Sequence, residues 1–261
     1  MNNSELGRVQ AYLLRHRHAE TKSMRRSISR EEREVATLLR DADLSMRSLL
    51  EEILDGQGLT LKSFNEFDAA GIPVGAMVFV LARKPDSNPP FFGTEKLIAK
   101  MLQVRGGINK ESEAKIWFTQ LWFILLDLLY TRKNRSPTSL QDWVETTFVK
   151  DVFVDAVKEY INDHVLKIDR STLTTDAVYE TLTSLKEGTI SKLCQIFIDL
   201  MCDAGLLDEM ETSNYRQSLL FAYEMKTNYD RQLEPLLPKA DPFLSASTLL
   251  VEQTENKTEE S

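Results

Sequence analysis

Apolar positions recur along most of this chain at the three-and-four spacing of one helix face, so helices are the expected building blocks. Leu6, Val9, Leu13 and Leu14 form a first amphipathic piece. A second begins at Ser29, a candidate N-cap with Glu32 three residues on as its capping-box partner. It carries Val35, Leu38 and Leu39 and ends near Arg40. Leu44 to Leu54 repeats the pattern until Gly56-Gln57-Gly58 stops it, and Leu59 to Ala70 reads as a further short helix closed by Gly71. Ile72 to Arg83 is apolar on both faces. Its Val78-Phe79-Val80-Leu81 run suits a buried strand or a buried helix started by Pro73, and the helical neighbourhood favours the helix.

Lys84-Pro85-Asp86-Ser87-Asn88-Pro89-Pro90 is the clearest connector. Beyond it Thr94–Val104 is helical, Arg105-Gly106-Gly107 is a break, and Lys110 to Tyr130 is helical again. That last helix is apolar around most of its circumference and belongs in the middle of the fold. A basic, proline-containing loop covers Thr131–Ser139. An amphipathic helix is expected from Leu140 to Val165, with a break near Thr146-Thr147.

Ser171 to Tyr223 has the grammar of a helix-turn-helix with a wing. Thr174-Thr175-Asp176 can cap a helix holding Val178, Tyr179, Leu182 and Leu185. Lys186-Glu187-Gly188 reads as the turn, Thr189 as the next cap, and Ile190, Leu193, Phe197, Leu200, Met201 and Ala204 as the buried face of the second helix. Gly205 suits the left-handed C′ position, and a hairpin is expected around Met210–Tyr215. If such a helix read DNA, Thr189, Ser191, Lys192 and Gln195 would face the bases. Asp199, Asp203, Asp208, Glu209 and Glu211 follow them, and carboxylates repel phosphate. Docking on protein and contact with DNA both remain open.

The chain has 261 residues, 42% of them hydrophobic and 28% charged, and a net charge of −8, which fits a soluble globular protein of one large or two small domains. Its acidity argues against a surface wrapped wholly in nucleic acid. The charge is segregated, however. Arg15, Arg17, Lys22, Arg25, Arg26, Arg30 and Arg33 gather near the start, Arg132, Lys133 and Arg135 in the central loop, and Glu252 to Ser261 is acidic. No apolar run reaches the roughly 18 residues of a spanning helix. Met1-Asn2-Asn3-Ser4-Glu5 lacks the features of a secretory signal, and two cysteines make no disulfide framework, so the expectation is cytoplasmic.

Few residues suggest chemistry. His16, His18 and His164 are too scattered for a zinc site, and Cys194 and Cys202 read as core residues. Phosphate-loop, dinucleotide and esterase signatures are missing from the sequence. Pro85-Asp86 followed by Glu113-Ala114-Lys115 matches the letters of a metal-nuclease signature. Glu113 and Lys115 open a helix, however, where residues two apart face different ways. Asp151, Asp155 and Glu159 read as a solvated stripe. The expectation is a chain with no metal and no cofactor that is not an enzyme.

Residues 173–207, from Leu173-Thr174-Thr175-Asp176 through Thr189-Ile190-Ser191-Lys192-Leu193 to Ala204-Gly205-Leu206-Leu207, resemble the winged-helix part of small helical accessory subunits of prokaryotic DNA-defence systems, the BrxA-like proteins of BREX. Accessory subunits of SMC-like ATPase complexes are similar in organisation. The resemblance implies a mainly α, multi-helix protein with a C-terminal winged helix-turn-helix, non-catalytic and associated with DNA. Its organisation is then an N-terminal helical region over 1–84 with basic first helices, a connector over 85–90, a C-terminal helical region over 91–238 containing the module 171–223, and a disordered acidic tail over 239–261. The expected function is that of a subunit docking on a larger ATPase or nuclease in antiviral defence or DNA maintenance. The DNA-contact candidates are Arg15, Arg17, Lys22, Arg25, Arg26, Arg132, Lys133, Arg135, Thr189, Ser191, Lys192 and Gln195. A free-standing winged-helix regulator and a metal-dependent nuclease are the alternatives.

Overall fold

A computed structural model describes residues 1–85, 87, 94–104, 107–141, 143–169 and 177–228. Met1–Thr227 packs as one compact unit. The expected tail, the capping segment 174–176 and Asp86 lie outside the described residues.

Helix α1 (Asn3–His16) starts in a reciprocal capping box, Asn2 with Glu5, and buries Leu6, Val9, Tyr12 and Leu13. It ends at Arg17, which takes a left-handed conformation and leads into strand β1 (His18–Glu20). Helix α2 (Arg30–Arg40) is capped by Ser29 as expected. The carboxylate of Glu32 does not return to Ser29, however; it accepts from the Glu20 backbone and from Arg26. Asp43 caps α3 (Leu44–Asp55).

The next two segments are strands where helices were expected. Leu59–Phe64 forms β2 and Val78–Arg83 forms β3. Strand β3 is the middle strand of an antiparallel sheet ordered β1-β3-β2. Phe79 and Leu81 join the core of α1, α2 and α3, while Val78 and Val80 turn toward Leu219 and Leu220 of the chain's second half. A strand buried on both faces loses its alternation and reads as a continuous apolar run, which is why the pattern did not distinguish it from a helix.

Helix α4 (Thr94–Met101) precedes α5 (Glu111–Leu129), whose Trp117, Leu121, Leu125 and Leu129 are fully buried, as a central helix requires. The long helix expected from Leu140 to Val165 is instead a short 3-10 turn (Trp143–Glu145), a strand β4 (Thr147–Val149) and α6 (Lys150–Tyr160), which runs into a π-type turn. Val144, Thr146, Thr147 and Val149 are β-branched, and that run favours extended chain.

Helices α7 (Ala177–Thr183) and α8 (Glu187–Asp203) are joined by three residues. Lys186, not Thr189, is the N-cap of α8, and Gly188 lies inside its first turn. At the other end Gly205 is left-handed as expected, with Gly205 N–H bonded to Cys202 O and Leu206 N–H to Met201 O. Strands β5 (Leu207–Glu211) and β6 (Asn214–Gln217) form the hairpin, and α9 (Leu219–Asn228) follows. The second sheet is ordered β4-β6-β5, antiparallel. Phe153, Phe118 and Phe197 meet in the core beneath it, with ring centroids 5.8 and 5.4 Å from that of Phe197.

The two halves therefore share one topology. In each, a helix, a strand, further helices and two more strands follow in order, and the last strand pairs between the other two. The fold mixes helices with two small sheets among the described residues.

Candidate functional site

Helix α8 and the hairpin after it hold four of the expected contact residues. Ile190, Leu193, Cys194, Phe197, Ile198, Leu200 and Met201 are buried, so most of the helix circumference is core. What remains exposed is Glu187 at its start and a narrow stripe through Gly188, Lys192, Asp199 and Asp203. Thr189 is half-buried against Gly107, where a Cβ would come within 2.8 Å of its methyl group. Ser191 Oγ donates to Glu187 O at 3.3 Å, and Gln195 Nε2 donates to Asp199 Oδ1 at 2.7 Å. Lys192 is the only cation within α8, and the hairpin adds exposed Glu209 and Glu211.

The basic residues near the start do not share one exposed helix; they are spread over the end of α1 and its C-cap, the loop after β1, and α2. Arg17 is buried. Its Nη2 lies 2.6 Å from Glu224 of α9, its Nη1 donates to Ala204 O at 2.8 Å and its Nε to Leu81 O at 3.3 Å. Arg26 donates to Glu32, Glu20 and His18. Burial alone would lower its pKa, but the hydrogen bonds and charges of Glu32 and Glu20 more than offset this and raise it. Arg25 stacks on Trp143, 4.4 Å from the ring centroid, and donates to Gly71 O. Arg15 and Lys22 are exposed.

In the central loop Arg132 bridges Asp127 and Glu159 at 2.8 and 3.1 Å. Lys133 Nζ donates to Thr147 O at 2.6 Å, and Arg135 lies 3.7 Å from Glu145. Burial, with the nearby Arg135 charge, lowers the pKa of Lys133. The candidates thus form three groups on separate elements, and most of their positive charge is spent on this chain's own carboxylates and carbonyls. Of the expected contacts, Arg15, Lys22 and Lys192 are exposed cations without an ion pair among the described residues.

His18, Glu20 and Glu32 bring ligand-type atoms within 4.8 Å of one another. The Arg26 guanidinium already stands between them, 2.8 Å from His18 Nε2 and 3.0 Å from Glu20, so a metal ion would have to displace it. Glu113 accepts from the backbone N–H of Asn109 and Lys110, which holds its carboxyl below the usual range, and Lys115 is exposed. Asp151, Asp155 and Glu159 are all exposed. Burial pushes the thiols of Cys194 and Cys202 up to about 12, so neither is a thiolate near neutral pH.

Charge patterning pointed to Arg17 and Arg25 but not to their partners. Glu224 and Trp143 lie more than a hundred residues away in sequence, and no local spacing announces them. Neither a protein-family model nor a curated protein matches the sequence. No helix among the described residues is long and apolar enough to cross a membrane.

Proposed function

We propose that this chain is a non-enzymatic docking subunit of a prokaryotic DNA-defence or DNA-maintenance assembly, gripping a larger ATPase or nuclease through two winged-helix modules in tandem. The observation that carries the reading is the repeated topology, in which each half closes a helical core with a three-stranded sheet whose last strand sits in the middle. A helix-turn-helix and hairpin arranged in that way is the winged-helix plan. The first module spans α1 to β3 and the second α5 to β6.

The surface chemistry favours protein over DNA as the partner. Binding to DNA rests on Lys and Arg neutralising phosphates. In α8 one lysine faces Asp199 and Asp203 along the same stripe, and the hairpin that would flank a duplex presents Glu209 and Glu211. Of the arginines near the start, Arg17, Arg25 and Arg26 are committed inside the molecule. Of the expected contacts, Arg15, Lys22 and Lys192 are left for local DNA contact, too few to hold a duplex unaided.

A regulator acting alone reads DNA as a two-fold dimer and loses affinity steeply as salt rises. The test is purification of the tagged full chain from its host at physiological salt, followed by duplex binding. Recovery in a stoichiometric complex with an ATPase or nuclease, with weak duplex binding by the isolated chain, supports docking. A chain that runs alone and binds a short duplex tightly overturns it.

A further inference from the structure

Where the two halves meet, β3, the loop after β1, Trp143, β6 and the start of α9 enclose a cavity of about 30 Å³. A buried water needs about 10–15 Å³ by the same kind of measure, so this space suits two waters or the head of one carboxylate and excludes a nucleotide. Three guanidiniums line it, those of Arg25, Arg26 and Arg216, together with His18, Glu20 and Asp208.

The charges are unevenly answered. Arg26 is held by Glu20 and by Glu32 behind it. Arg216 is 5% exposed, and its Nη2 reaches Asp208 Oδ2 at 2.9 Å, but its Nε is buried with no hydrogen-bond partner among the described residues. Arg25 has Gly71 O and the face of Trp143, with no carboxylate at ion-pair distance among the described residues. The Arg216 guanidinium also lies near Trp143, 5.3 Å from the ring centroid. Burial and the neighbouring Arg216 charge lower the pKa of Arg25 and outweigh the opposing charges of Glu20 and Asp208. A buried charged donor left unmade costs its whole desolvation penalty. Arg216 already has the Asp208 carboxylate, so what is left unanswered at the cavity is the Arg216 Nε–H and the Arg25 guanidinium, which has only a carbonyl and an aromatic ring in contact.

We propose that this cavity is a binding site for a single carboxylate group, held between the Arg216 Nε–H and the Arg25 guanidinium beside Trp143. Glu20 and Asp208 at its edge disfavour a dianion, and the two oxygens of one carboxylate reach both donors where a single ion cannot, so the site selects a carboxylate over the phosphate dianion and over chloride. The ligand class is a small monocarboxylic acid, whose head group is what the cavity can hold.

The test follows the Arg216 Nε–H resonance by NMR in the full chain, assigned by its loss in Arg216→Lys, on titration with sodium acetate against sodium chloride at matched ionic strength. The proposal expects a saturable movement with acetate and none with chloride or phosphate. In Arg25→Gln, the loss of one charge-assisted hydrogen bond should weaken acetate binding about tenfold or more. A resonance that acetate does not move in either protein, or moves equally in wild type and Arg25→Gln, overturns the proposal.

Discussion

Replacing Glu224 with leucine should be among the most damaging single changes in the molecule. Arg17 and Glu224 are 3% and 5% exposed, so their pairing takes place out of water. Glu224 Oε1 accepts from Arg17 at 2.6 Å and from the Arg83 backbone N–H at 2.9 Å, which joins α1, β3 and α9 at one point. Removing one partner of a buried ion pair leaves the other charge stranded, at a cost of about 3–5 kcal/mol. The Leu81 and Ala204 carbonyls still receive the Arg17 guanidinium, which places Glu224→Leu near the lower end, about 3 kcal/mol. Arg17→Met strands Glu224 instead, but the half-exposed Arg83 guanidinium 3.7 Å away compensates in part, so about 2 kcal/mol is expected. The double change leaves no buried charge stranded, since the Arg83 guanidinium is half-exposed, and should cost well under the sum, with a coupling of about 2 kcal/mol. Urea unfolding followed by tryptophan fluorescence reads all four proteins, with lower midpoints and unchanged slopes. A loss below about 1 kcal/mol for Glu224→Leu, or a double variant equal to the sum, would refute the reasoning.

Phe197→Ala empties the place where Phe118 and Phe153 meet and should cost about 3–5 kcal/mol in the same unfolding assay. Glu113 has its carboxyl held below 4.5 by the backbone N–H groups before α5. The stability it adds over Glu113→Gln is therefore complete above pH 4.5 and is lost as pH falls through the lower folded-state value, which paired pH–melting curves would show. Changing Asp199, Asp203, Glu209 and Glu211 together to lysine should create duplex affinity where the natural surface has little. Its logarithm should fall in proportion to log salt, with a slope near −0.9 for each phosphate contacted. A variant whose affinity stayed at the natural level would mean that charge is not what keeps this face off DNA.

The helices of this fold are legible because one-sided burial leaves a three-and-four rhythm. Leu6, Val9 and Leu13 mark α1, and Ile190, Leu193, Phe197 and Met201 mark α8. The second hairpin is legible because its strands nearly touch in sequence and Gly205 announces the turn before it. The first sheet is not. Strand β3 is covered on both faces and has no alternation, and it is reached through residues 65–77, which carry no tight-turn signature. Those misreadings, with that of β4, also hid the repeated topology, because the two halves share no sequence rhythm and differ in loop length and in the extra helix α7. Among site residues, charge density along the chain identifies the arginines, but long-range packing decides whether an arginine faces outward. Arg17 turns inward because Leu81, Ala204 and Glu224 converge on it, and nothing near residue 17 in sequence says so.

Hydrogen–deuterium exchange comparing the isolated chain with the same chain in its host-purified assembly tests the docking account most directly. Backbone amides over 187–217, the helix α8 and the hairpin, should gain protection in the assembly and keep the isolated chain's exchange when excess duplex DNA is added to that chain. Protection of that segment by DNA alone, or exchange unchanged between the isolated and host-purified protein, would contradict it.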